Sequence, residues 1–250
     1  MIPSRSIHDT IAFNRPAGLP RRRLLTIAVA LACLGVLALA VDLDVARWCK
    51  AGHIPKEIMR FLNFSEVFGH GIGVATILLA AAVLDPTLMG RRAVPRFGSL
   101  PFSRDLGWMV VTAFAGGIAA NVIKATLVDR VRPRAADLAA AASSLATFGD
   151  SLAANIASHS DINSFPSGHA ATAAGLAAAL AWKYPRGTWF FVAMAAAAAA
   201  QRVASLAHYP SDVFMGATVG LLSAAFLLGT KSTHVTLATG QSDGPLNTVR

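Results

Sequence analysis

Charge is scarce in this sequence. Only 14% of its 250 residues are Asp, Glu, Lys or Arg, and 13 of them are acidic. Soluble domains carry about 25% charged residues, so a chain of this length with so few is built for lipid rather than water. Cysteine is nearly absent too. Two residues, Cys33 and Cys49, make no disulfide framework, and without a C-x-x-C pair there is no zinc-ligand spacing. Tyrosine occurs only twice and aromatics make up 8%; no basic run is interleaved with them, which excludes a nucleic-acid surface. No internal repeat and no separate soluble domain is visible. What remains is 54% hydrophobic with a mean hydropathy of +0.53.

The apolar residues fall into runs. Residues 1–23 read as a disordered cytoplasmic leader, ending in Arg21, Arg22 and Arg23. An unbroken apolar run over 24–41 follows, about the length a helix needs to cross a bilayer. Ala38-Leu39-Ala40 imitates a signal-peptide cleavage site, but the run is longer than the usual apolar core of such a peptide. Further spans are expected over about 67–84, 106–128, 167–182, 188–206 and 212–229. The fourth is short and Ala-rich, with Gly175, a composition suited to close helix packing in lipid. The Ala run 195–200 has the same packing reading. Residues 134–164 mix polar and apolar side chains and include Asp137, Asp150, His159 and Asp161. Carboxylates are costly inside lipid, so this stretch is expected as one or two helices lying at the membrane surface, where it shapes a lipid entrance. The expected fold is all-α: one six-helix transmembrane bundle over 24–229, a surface helical segment between helices 3 and 4, and a cytoplasmic tail over 230–250.

The formal charge of +9 fits that layout. With the N-terminus cytoplasmic, the inner segments hold Arg5, Arg15, Arg21–Arg23, Arg91, Arg92, Arg96, Arg104, Lys183, Arg186, Lys231 and Arg250, as the positive-inside rule asks. Both termini then lie inside, and three polar clusters fall together on the outer side. They are Lys124 with Arg130, Arg132 and Pro133; Ser164-Phe165-Pro166-Ser167-Gly168-His169; and Arg202 with His208-Tyr209-Pro210-Ser211-Asp212. Lys and Arg there supply positive charge for an anion, and guanidinium forks suit phosphate oxygens. Pro166 fits a helix's first turn, and Ser167, Gly168 and His169 offer N–H groups at a helix N-terminus, a phosphate cradle. Gly168 lets the backbone approach closely. Asp212 can hold the His208 imidazole in one tautomer and stabilise its cation, and His169 stands ready as general acid. Two histidines with an anion cradle and no metal-ligand spacing point to metal-independent phosphoryl transfer, with no cofactor.

These residues resemble the motifs of the type 2 phosphatidic acid phosphatase superfamily, which shares its site with vanadium haloperoxidases. Its motifs read K-x6-RP, PSGH and SR-x5-H-x3-D. The second stands complete at Pro166-Ser167-Gly168-His169, and the third runs from Arg202 through His208 to Asp212. In two places the sequence departs. Seven residues rather than six separate Lys124 from Arg132, and Gln201 stands where the family has serine. One extra residue turns a helix by about 100°, unless a helix end or bulge within 126–129 absorbs it. The resemblance implies that His208 attacks phosphorus, Asp212 orients it, His169 protonates the leaving group, and Lys124, Arg132, Ser167, Gly168 and Arg202 hold the phosphoryl oxygens. It implies a lipid phosphatase of a bacterial inner membrane acting at the outer face, on undecaprenyl pyrophosphate, phosphatidic acid, phosphatidylglycerol phosphate or lipid A, with membrane lipids and no nucleic acid as partners.

Other readings stay open. Phosphoryl transfer to an acceptor lipid would use the same intermediate. An anion transporter would show repeats and midplane polar groups, and a non-catalytic lipid binder would be expected to lack one of the histidines. His70, His53 and His159 read as packing or loop residues, Arg130 and Arg134 as solvated loop charges, and Tyr209 as a ring at headgroup depth.

Overall fold

The computed structural model describes residues 20–89, 103–149 and 159–238. Leader residues 1–19, Arg91, Arg92, Arg96, Asp150 and the last part of the 230–250 tail lie outside the described residues. The chain forms eight α-helices among the described residues: α1 Arg21–Ala38, α2 Asp42–Lys50, α3 Lys56–Ser65, α4 Gly71–Leu84, α5 Arg104–Thr126, α6 Gly168–Lys183, α7 Thr188–Ala204 and α8 Pro210–Ala238. Each expected span coincides with a helix, but two are bent. The run over 24–41 breaks after Ala38, and α2 leaves α1 at 72°. The run over 67–84 begins in a 3-10 turn, Glu66–Phe68, and α3 with this turn meets α4 at 69°.

Two described helices, α5 and Pro210–Gly229 of α8, are long and apolar enough to cross a membrane, or up to four if each bent pair is one span. The helices α6 and α7 have 16 and 17 residues. At 1.5 Å per residue they reach about 25 Å, short of the ~30 Å hydrocarbon core.

The axis of the bundle is α6, thirteen of whose sixteen residues are buried. Its alanines let α5, α7 and α8 close around it, since small side chains bring backbones together where lipid offers no hydrophobic drive. A Cβ at Gly216 or Gly220 of α8 would run into the carbonyl oxygens of Ser167 and Ala171 on α6. Leu78, Met109, Leu176 and Leu180 fill the α4–α5–α6 side, and Leu24, Ala178, Ala224 and Leu228 close α1 onto α8.

The polar clusters meet at one end of this bundle, where α5 ends and α6 and α8 begin. The segment between α5 and α6 covers that end differently from expectation. Its described residues hold two 3-10 turns, Ser144–Thr147 and His159–Ile162, instead of surface α-helices. Asp137 explains part of this: its carboxylate accepts the N–H groups of Ala139 and Ala140, each at 3.1 Å, a local turn that competes with helix. Val131, Ala135, Ala136 and Leu138 pack on Leu43 and Ala46 of α2, and Arg47 clamps the carbonyls of Leu138 and Ala141 at 2.9–3.1 Å.

Candidate active site

The first turn of α6 faces the site. Ser167 is its N-cap, accepting from Ala170 N at 3.4 Å, which leaves Gly168 and His169 at the head of the turn with N–H groups the helix itself does not use. Pro166 therefore precedes the cap instead of occupying the first helical position. The Ser167 N–H donates to the Asp212 carbonyl oxygen at 2.9 Å, so it serves the α6–α8 junction. Gly168 also meets a packing demand, since a Cβ there would lie 2.8 Å from Asn121 Oδ1.

The end of α7 sets up the next pair. Leu206 N–H donates to Val203 O at 2.9 Å and Ala207 N–H to Arg202 O at 3.1 Å. These are the two bonds of a Schellman helix terminus. The left-handed position falls on Leu206, at φ 56°, where glycine is usual and a leucine is strained by roughly 1–3 kcal/mol. This reversal delivers His208, whose N–H also bonds Arg202 O at 3.1 Å. Arg202 is steadied from its side-chain end by Glu66 Oε1 at 2.5 Å. Gln201, in the family's serine position, donates to Asn63 Oδ1 at 3.2 Å and accepts from Arg202 Nη1 at 3.3 Å.

His208 is 2% exposed. Its Nδ1 lies 3.7 Å from Asp212 Oδ2 and 3.4 Å from Ser164 Oγ. With the carboxylate ionised, Nδ1 carries the proton and Nε2 keeps its lone pair. At 3.7 Å the His–Asp contact is too long for a hydrogen bond, as catalytic contacts in unliganded sites often are. Burial pushes His208 down to about 4; the Asp212 carboxylate pulls it up, and the cations of Arg132 and Lys124 push it down again. Burial wins, so the imidazole is neutral at pH 7.

A pocket of about 330 Å³ gathers Lys124, Arg132, Gly168, His169, Arg202 and His208, flanked by Gly71 and by Phe114 and Ile118 of α5. Six of the eight candidate residues thus line one cavity, while Asp212 and Ser167 stand behind it. Lys124 is among the six because α5 ends at Thr126, and the irregular backbone after it absorbs the extra residue before Arg132. The Nε–H groups of Arg132 and Arg202 are buried and find no acceptor among the described residues. Burial and the neighbouring Arg134 and Arg202 guanidiniums hold Arg132 below its ordinary value, the signature of crowded cations that an anion would relieve. His70 sits beside His169, ring centroids 5.9 Å apart. Among the described residues, none from 134–149 or 159–164 lines the pocket, and its apolar flank comes from Phe114 and Ile118 of α5.

The sequence reading missed what lies behind His208. Arg130, read as a solvated loop charge, is fully buried. It donates to Asp212 Oδ1 at 2.5 Å, Asp42 Oδ2 at 2.7 Å, Ser211 Oγ at 2.8 Å and Thr147 Oγ1 at 2.9 Å. The Tyr209 ring, buried within the protein, lies 4.1 Å from the guanidinium carbon and the Phe148 ring 4.5 Å. Removing one partner from such a buried pair costs about 3–5 kcal/mol. Arg134 instead pairs with Asp161 at 2.7 Å, half-exposed.

The sequence matches the PAP2 superfamily over residues 105–235, just over half the chain. Two relatives, the lipid A 1-phosphatases of Rhizobium johnstonii and Rhizobium etli, are 34% and 32% identical over 113 residues. That stretch is 45% of this chain and 42% and 44% of theirs; the chain spans less than half the length of the curated relatives it matches. Among solved structures, a transmembrane PAP2 type phosphatidylglycerolphosphate phosphatase from Bacillus subtilis superposes with a TM-score of 0.56 at 18% identity, covering 85% of this chain and 96% of that one. That likeness is one of fold. The chain belongs to the PAP2 superfamily, and its long apolar helices make it an integral membrane member of it.

Proposed function

We propose that this protein is a six-span, metal-independent lipid phosphatase whose site faces the outside of a bacterial inner membrane, with both termini cytoplasmic. The observation that carries the reading is the pocket itself: two histidines, three cations and a helix N-terminus around one cavity. A phosphoryl group there is held by Lys124, Arg132, Arg202 and the Gly168 and His169 N–H groups, with Ser167 fixing that turn. The His208 Nε2 lone pair attacks phosphorus, the P–O bond to the lipid breaks, and His169 gives its proton to the departing oxygen. Asp212 balances the imidazolium. His169, now neutral, takes a proton from water, whose oxygen attacks phosphorus and breaks the P–N bond, freeing phosphate and His208. The cations stabilise charge that develops on the equatorial oxygens. Phe114 and Ile118 offer an apolar flank for the lipid's first carbons. Similarity to lipid A 1-phosphatases makes lipid A the first substrate to try.

The test is phosphate release by detergent-purified protein in EDTA from lipid A, phosphatidylglycerol phosphate, phosphatidic acid and undecaprenyl pyrophosphate. Release from at least one lipid, undiminished by EDTA, is expected. Silence on all four, or loss with EDTA, refutes the proposal. Appearance of the phosphoryl group on an added lipid instead of as free phosphate would make the protein a transferase.

A pH dependence follows from His208. Attack needs the neutral imidazole, so its contribution to the acid limb of kcat/KM is expected near pH 4 instead of near 6.5. The substrate's own ionisation, titrated by phosphorus NMR in the same micelles, is divided out first. The sign for stability is the same. The folded value lies below the unfolded 6.5, so acidification from 6.5 to 4 protonates the unfolded chain first and weakens the fold. A residual limb at 6.5 would show that His208 is solvated in the working enzyme.

A further inference from the structure

We infer that Arg130 and Asp42 are positioning residues for the nucleophile: Asp42, at the corner between α1 and α2, anchors a guanidinium that fixes the Asp212 carboxylate against His208. The inference rests on the proposed role of His208. Its first support is the division of labour on Asp212. Arg130 takes Oδ1 at 2.5 Å. Oδ2 is left for Ser164 Oγ at 2.5 Å, Tyr209 N–H at 2.8 Å and the Nδ1 side of His208. A carboxylate gripped on both oxygens cannot turn about its own axis, so the acceptor offered to Nδ1 has one position.

The second support is the anchoring of Arg130 itself. Asp42 accepts from Arg130 through Oδ2, and from Ser211 through its N–H at 3.0 Å and its Oγ–H at 2.5 Å. Ser211 immediately precedes Asp212 in the first turn of α8. Asp42 therefore holds both the guanidinium and the backbone that carries Asp212, across 169 residues of chain. Asp42, Arg130, Ser164, Ser211 and Asp212 are each no more than 1% exposed, so water does not compete for these bonds.

The third support is the charge count. Two carboxylates and one guanidinium leave the buried cluster one negative charge in excess beside a neutral His208. When Nε2 bonds to phosphorus the ring becomes cationic, and the excess is cancelled. An ion pair serving only the fold would need one carboxylate per guanidinium. This one keeps a second carboxylate facing the group that becomes positive. The charged or titratable groups around Asp212 are Arg130, His208, Asp42 and Tyr209, with Arg132 and Lys124 from across the pocket.

The test uses the full chain in detergent, with the same four lipids, and compares wild type, Arg130→Gln, Arg130→Lys, Asp42→Asn and His208→Ala. Arg130→Gln is expected to lower kcat about 100-fold, the size of an ångström-scale misplacement, while KM stays within about threefold. Its acid limb should move up by at least about one pH unit, because the buried cluster behind His208 loses its one guanidinium. Arg130→Lys keeps the charge without the fork, so it should recover part of kcat and leave the limb in place. Asp42→Asn should lower kcat without raising the limb, since it removes an anion. Each rate is divided by the amount of competent protein, counted as the fraction that binds inorganic phosphate in the cation-lined pocket, a count that does not pass through attack by His208. Wild-type kcat and an unmoved limb in Arg130→Gln overturn the inference, as does a loss that vanishes on division by competent protein. Should Arg130→Gln fail to fold, wild-type kcat in both Arg130→Lys and Asp42→Asn overturns it. Continued phosphate release by His208→Ala overturns the proposed function and this inference together. A silent His208→Ala beside unaffected Arg130 variants overturns this inference alone.

Discussion

Replacing His208 with alanine is expected to reduce phosphate release from every cleaved lipid by about four orders of magnitude or more, as removing a nucleophile does elsewhere. The cations and the α6 N-terminus survive the change, so residual binding should survive as well, and KM is expected to move little. The mechanism makes a further demand. If His208 bonds to phosphorus, wild-type enzyme mixed with radiolabelled lipid phosphate and quenched in alkali should retain label on the protein, stable to base and released by acid. His208→Ala should retain none. The placement of His208 explains why no neighbour substitutes for it: it is 2% exposed, and Nδ1 is turned to Asp212 and Ser164. His70 and His169 lie side by side with their ring planes tilted by 48°, and among the described residues neither forms an ion pair with a carboxylate. Label on a residue other than His208, or a mutant within tenfold of wild type, would refute the assignment, and tenfold corresponds to only about 1.4 kcal/mol of barrier.

How much of this was legible beforehand depended on whether the cause was local. The long runs that became α5 and α8 announce themselves, because a bilayer sets their length and composition. The break after Ala38 does not, since apolarity continues through Val41 and a 72° bend leaves no mark on hydropathy. The helices α2 and α3, nine and ten residues long, lie between the first two expected spans, where the charges of Arg47, Lys50, Lys56 and Arg60 leave no apolar run to mark them. The site residues at helix ends were readable as motifs: Ser167 caps, Gly168 and His169 open a turn, and His208 precedes Pro210. The extra residue after Lys124 looked disruptive only on the assumption of continuous helix, and α5 stops before it matters. Arg130 was unreadable. Its carboxylate partners lie 82 and 88 residues away, and a lone arginine in a loop carries no sign that two acids will fold over it. Burial of a charge is a tertiary fact, decided by partners that a local window cannot contain.

The second large effect concerns His169, and it separates the two histidines by the chemistry of the leaving group. His169→Ala is expected to slow lipid dephosphorylation by about 10²–10⁴-fold, the usual worth of a general acid, because the alkoxide of a lipid needs a proton to depart. The same variant should release nitrophenolate from 4-nitrophenyl phosphate at a rate near wild type in the first turnover, since that oxygen leaves without one. His208→Ala should be inactive on both. The first turnover is the informative one. Hydrolysis of the phosphohistidine still needs a base for water, and in the proposed cycle that base is His169, sitting across the pocket in the first turn of α6. Nitrophenolate should therefore appear as a burst of about one equivalent per competent enzyme, followed by a steady state slower by a similar factor, with the phosphoenzyme accumulating. Wild type, in which His169 activates the water, should hold a smaller fraction of its sites as phosphoenzyme than the variant does. If His169→Ala loses both substrates equally in the first turnover, His169 is not the acid. If it turns over the aryl phosphate steadily with no burst, water is activated by another group, and His70, whose ring centroid lies 5.9 Å from that of His169, is the residue to replace next.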